Sequence, residues 1–287
     1  MGQGRGGSGP GTGSKNKGKR GSTKPPVDVG SSGNSGGGGG GTGGSKNSGT
    51  GGTQGEGGGN GSGASSSSTG SSTTSILDQN LPPLTITYSD DLPEAEREVQ
   101  ERELSKMPHR LREILQRRGT RIYSGRRADQ TAGWERFSEL TGLDSNTEVA
   151  DGRQMGDLSF YQPSTNEVFF SRDTPHGSAN VTTHELGHAL DYQWIGLHRP
   201  LSDMPEWKDL HNRYIIHNED IREYFRFGPS GTNAASGRAE FFAEAFAVYR
   251  EYGMVGVRHF AKSRAAGDAV LAFWKQYRII APGEEIL

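Results

Sequence analysis

The chemistry of this chain gathers in one run, Val181-Thr-Thr-His-Glu-Leu-Gly-His-Ala-Leu-Asp191. His184 and His188 lie four residues apart, so on a helix they share a face and both imidazoles can reach one cation. Glu185 sits about 100° further round by the 3.6-residue period, near enough to meet a water on that cation without ligating it. Two nitrogen donors on a Lewis acid, with a carboxylate beside them to take a proton, make up the HExxH arrangement of zinc-dependent peptidases. The plainer reading is an amphipathic helix with two surface histidines. Against it stand N-cap candidates at Ser178 and Asn180 and an apolar side formed by Val181, Leu186, Ala189 and Leu190.

A catalytic zinc takes three protein ligands and leaves one position open. The segment Arg238–Tyr249 offers the third. Phe241, Ala245 and Val248 form one apolar stripe and Phe242, Phe246 and Tyr249 another, so this helix is expected to be buried. Glu240 and Glu244 share what remains of its surface. Two buried carboxylates cost several kcal/mol unless a cation or hydrogen-bond donors compensate them. Zinc on Glu240, and a histidine ring N–H donated to Glu244, would do so. The competing reading is a half-buried helix whose glutamates reach solvent or pair with Arg238 or Arg250. Asp191 either orients a neighbouring side chain or closes a local network, with an arginine or otherwise. Gly187 costs about 1 kcal/mol inside a helix relative to alanine, and close approach of substrate or of the second helix would account for it.

Read together, His184-Glu-Leu-Gly-His-Ala-Leu-Asp191 and Ala239-Glu-Phe-Phe-Ala-Glu-Ala-Phe246 resemble the catalytic domain of anthrax lethal factor and the related clostridial Pro-Pro endopeptidases. The resemblance implies a zincin-like α+β domain of the gluzincin type, acting as a zinc endopeptidase on a protein or peptide substrate. His184, His188 and Glu240 would be its ligands and Glu185 its general base, and use as a toxin or effector would follow. The family usually carries a tyrosine about two turns ahead of the third ligand, directed at the oxyanion; here Asn233 stands there. Either Tyr224, carried in by a longer loop, or Asn233 itself would supply that hydrogen bond. A catalytically idle zincin-like binding domain is the rival, and an interaction protein working through its N-terminal head is another.

The elements around these residues differ from the head of the chain. Residues 1–75 hold 29 of the 45 glycines, with seven basic against two acidic residues, while the remainder has 25 basic against 32 acidic. Such a head cannot offset the entropy of ordering and is expected to be a disordered Gly/Ser-rich basic tail, followed by an extended linker and helix start over 76–103 and the peptidase domain over 104–287. It lacks the apolar core of a signal peptide, and its Met1-Gly2 start is a weak myristoylation signal. Secretion or delivery to another cell by a non-classical route is the expectation. No apolar run suits a transmembrane helix, no aromatic interleaving suits nucleic acid, and oligomeric state is not legible. With no cysteine, disulfides and thiol catalysis are excluded.

Pro93 announces a helix to about Arg118 with Leu104, Met107, Leu111 and Ile114 as its packing stripe. A strand at 120–123, a helix at 130–141 and a hairpin over 158–171 follow. Val168, Phe169 and Phe170 of that hairpin are expected at a sheet edge, where an extended substrate could add as a further strand. Helices near 203–217, 219–225, 254–263 and 267–279 complete the domain. The other histidines, His109, His176, His198, His211, His217 and His259, have no metal spacing and are expected at the surface, with His211 or His217 able to line a cleft.

Overall fold

The computed structural model describes residues 82–194 and 199–286. The tail, the myristoylation signal, the first residues of the extended segment and His198 lie outside the described residues. The architecture is mixed α/β, about half helical, with one small open sheet. The packed body begins before the expected boundary at Leu104: Leu84 and Ile86 are buried, and β1 (Ile86–Tyr88) is a full sheet strand.

The expected first helix is two, α1 (Glu94–Ser105) and α2 (His109–Arg117). Pro108 breaks it, having no N–H to give and fitting only the start of a new helix. The packing stripe survives the break, with Leu104, Met107 and Leu111 buried and Ile114 packed beside them. After β2 (Arg121–Gly125) and α3 (Trp134–Thr141), β3 (Phe160–Gln162) and β4 (Glu167–Ser171) form the expected antiparallel hairpin.

The sheet order is β1-β2-β4-β3, with β1–β2 and β2–β4 parallel. This overturns the edge role for Val168, Phe169 and Phe170. Strand β4 pairs on both sides, Ile122 against Val168 and Tyr161 against Val168, and all five of its residues are buried. A continuous apolar run is what a strand covered on both faces requires. Val168 and Phe170 enter the main core, while Phe169 points the other way into a satellite core with Phe137, Met155 and Phe160. The edge nearest the histidines is β3.

α4 (Val181–Gln193) lies between this sheet and α7 (Ala234–Phe260), with Thr182 to Asp191 buried throughout. α5 (Pro205–Tyr214), α6 (Glu223–Phe227) and α8 (Arg264–Gln276) surround α7 around Trp207, Phe242, Phe273 and Trp274. α7 divides at Gly253, whose φ of 64° suits glycine, so a second helical stretch starts at Met254, as the expected helix near 254–263 requires. The Met254 amide, turned out of the helix by the break, donates to the Ile286 carbonyl at 2.9 Å. Among the described residues no helix is long and apolar enough to cross a membrane.

Candidate metal centre and active site

Helix α4 starts where Asn180 caps it, its side-chain oxygen accepting the Thr183 N–H at 3.0 Å. From that start His184 and His188 fall one turn apart on the face toward α7. A Cβ built on Gly187 would lie 3.0 Å from the Ala243 Cα, so glycine lets the two backbones touch. The close approach that Gly187 serves is therefore that of the second helix. It brings Glu240 and Glu244 of α7 against His184.

The three expected ligands converge. The Nε2 atoms of His184 and His188 each lie 3.4 Å from Glu240 Oε2, and all three residues are buried. Donor atoms about 2.0–2.1 Å from a tetrahedral centre stand about 3.4 Å from one another, so the spacing fits zinc. Glu240 Oε2 is buried with no hydrogen-bond partner in good geometry, an orphan that a cation would satisfy. His184 Nδ1 faces Glu244 Oε2 at 2.9 Å, the ring N–H to carboxylate contact that fixes a metal-binding tautomer. Glu244 also accepts the Ala179 N–H at 2.8 Å. Arg238 pairs with Asp203 at 2.8 Å and Arg250 donates to the Lys106 carbonyl, so neither arginine takes the glutamates.

Electrostatics agree with a cation-seeking centre. Burial alone would raise Glu240, yet the two facing histidines hold it well below the usual carboxylate range. Burial alone would lower His184, yet the facing Glu240, the hydrogen bond to Glu244 and the charge of Glu185 raise it well above its ordinary value. Burial raises Glu185, with His184 and His188 opposing.

A small cavity of about 40 Å³ sits at this centre, bounded by Glu185, Tyr224, His176, Arg153 and strand β3. Tyr224 reaches it from α6. Burial first, then the adjacent Glu240 charge, raise its hydroxyl well above the usual value, so it stays protonated and able to donate. Asn233 instead caps α7, its side-chain oxygen accepting from Ala235 and Ser236 N–H at 3.0 and 3.2 Å. Of the two candidate donors, only Tyr224 borders the cavity.

Asp191 closes a local network, accepting from the Ser202 N–H and hydroxyl at 2.6 Å each. Burial lifts it to about 7 against those bonds. The Ser202 carbonyl in turn accepts from Arg238, which ties the start of α7 to the end of α4. Among the described histidines, the surface expectation fails for two. His211 is fully buried, with Nε2 3.0 Å from the Phe225 carbonyl, and lines no part of the cleft. His176 borders the site: its Nδ1 accepts the Ser178 N–H at 3.2 Å, leaving its Nε2 proton toward Glu185 Oε1, 3.6 Å away. His217 lines a separate surface hollow. Arg153, whose Nε and Nη2 donate to Asp151 Oδ2 at 2.9 and 2.6 Å, is a second wall residue that the sequence did not mark. Both His176 and Arg153 lie in irregular segments, where no period marks which residues will face a site. Leu158, Ser159, Phe160 and Tyr161 line the cavity, so β3 and its approach take the place foreseen for β4.

No protein-family model matches the sequence, and no curated protein matches it. Among solved structures the chain is similar to a Pro-Pro endopeptidase from Paenibacillus alvei. The two are 17% identical, the match covers 67% of this chain and 96% of that one, and the TM-score is 0.47.

Proposed function

We propose that this chain is a zinc-dependent endopeptidase. One observation carries the reading: two imidazole nitrogens and one orphaned carboxylate oxygen meet at tetrahedral spacing, with a further buried carboxylate on the adjoining cavity. His184, His188 and Glu240 would hold the ion, and Glu244 would fix the first imidazole. Bound zinc supplies a Lewis acid that polarises a carbonyl and eases the ionisation of water. Glu185 takes the proton from the attacking water and hands it to the leaving amine, acting as base and then acid. Its burial keeps its affinity for that proton above that of an exposed glutamate. Tyr224 donates to the carbonyl oxygen as negative charge grows there. His176 Nε2 stands 3.6 Å from Glu185 Oε1, a neighbour of the base at the cavity wall.

The idle-domain reading rests on Asn233 standing where a tyrosine is usual. Tyr224 at the cavity supports the active reading instead. Metal analysis of the purified protein, with cleavage of a peptide library by wild type and Glu185→Ala, tests the proposal. Stoichiometric zinc and hydrolysis that vanishes in the variant are expected. Zinc without hydrolysis in either protein overturns it.

A further inference from the structure

The cavity at the metal centre has neighbours. A second hollow of about 260 Å³ shares Arg153, His176 and Tyr224 with it. That hollow shares Gly177, Arg222 and Phe225 with a third, of about 640 Å³, which reaches the far part of α7. Three hollows with common walls thus adjoin one another, from the metal centre to the far part of α7. The geometry points to a substrate cleft that extends past the reacting centre into this groove, where it binds an extended peptide segment bearing an acidic side chain beside a bulky apolar one.

The apolar half comes from α7. Tyr252 and Val255 line the groove and are 62% and 65% exposed, two of the three most exposed large apolar side chains among the described residues. A lone exposed apolar residue needs no explanation, but a pair flanking a concave surface does. The break at Gly253 separates them and changes the helix path between them. Phe225 and Phe260 supply the deeper apolar wall.

The charged half lies on the rim. Arg222 and Lys262 are exposed, and neither has a carboxylate partner among the described residues. Arg153, by contrast, is already bound by Asp151. Of the groove's two carboxylates, Glu244 is committed to His184 and the Ala179 amide, and Asp220 stands alone. The uncommitted charge is thus two cations against one anion, and it favours an acid on the occupant. A peptide running out of the cleavage site is the occupant that hollows adjoining that site would receive.

The inference rests on the peptidase reading, so its test reads binding and cleavage separately. A proteome-derived peptide mixture is digested with wild type, Arg222→Glu and the double variant Tyr252→Ser/Val255→Ser. Wild-type cleavage products are expected to be enriched in acidic and bulky apolar residues at fixed distances on one side of the cut. Arg222→Glu is expected to turn the acidic preference basic, by about fivefold. The double variant is expected to lower kcat/KM about tenfold, through KM, and only on peptides long enough to reach the groove. An unaltered profile, or equal losses on peptides of every length, overturns the inference. In parallel, a displayed peptide library is selected on Glu185→Gln and on Glu185→Gln/Arg222→Glu. If wild type cleaves nothing yet selection still yields acidic–apolar peptides that the double variant loses, the peptidase reading fails and the groove assignment stands. Selection that is indifferent to Arg222 sinks the groove.

Discussion

Two buried glutamates, Glu167 on β4 and Glu240 on α7, sit in the same molecule under different rules. Glu167 is fully buried, and its Oε1 meets two permanent cations, Arg121 at 3.2 Å and Arg136 closer still. Glu240 is equally buried but faces only imidazoles, groups that are neutral whenever they lend their nitrogen to a metal. The chain supplies permanent compensating charge at the first and only titratable imidazoles at the second. A carboxylate whose cation is covalently part of the protein holds structure together; one whose cation must be imported marks a site.

The largest effect expected from this contrast is on metal content. Glu240→Gln should lose zinc and activity together, whereas Glu167→Gln should keep stoichiometric zinc and instead lower stability by about 1–3 kcal/mol, read by urea unfolding. Zinc retained by Glu240→Gln would break the comparison. Next, Tyr224→Phe should lower kcat about 10²–10³-fold with zinc unchanged. Asn233→Ala should cost about 1 kcal/mol of stability through the lost cap and leave kcat nearly intact. The reverse pattern would return the oxyanion role to Asn233. Glu244→Gln should weaken zinc binding about 10–100-fold, measured by competition with a chelating dye, and an unchanged affinity would remove its part in orienting His184.

The smallest effect concerns acid. Burial, only partly opposed by the Phe225 carbonyl, lowers His211 to about 4. The unfolded chain binds that proton near pH 6.5 and the folded one does not, so the contribution of His211 is complete above 6.5 and falls as pH drops toward 4. Urea midpoints of the chelated protein should therefore decline more steeply over that window than those of His211→Gln. Parallel curves would mean that His211 titrates normally.

The cluster proposed to bind metal was legible because its residues obey a helical period. His184, His188, Glu240 and Glu244 are each one turn from a partner on a helix whose remaining surface is apolar, and period alone places such residues. The sheet was less so. Val168-Phe-Phe170 has the composition of a strand, but whether a strand is central or at an edge depends on β2, which is far away in sequence. Tyr224 could be named but not placed, since a short, isolated turn of helix carries it. The break at Gly253 was legible as the start of a separate helix near 254, but the partner of its freed amide, Ile286, was not, because it lies beyond another whole helix. His176 left no signal, since a stretch of turn and cap separates it from His184.

The contact at Gly187 sets a tolerance. Metal–ligand distances admit errors of only about 0.2 Å, and a methyl group at this position would press on the Ala243 backbone from 3.0 Å. Any relief of that pressure must slide Glu240 away from the two rings, although residue 187 itself offers no donor atom. Gly187→Ala should consequently act as a spacer that changes which cation fits, favouring those with longer bonds, while leaving every liganding atom chemically the same.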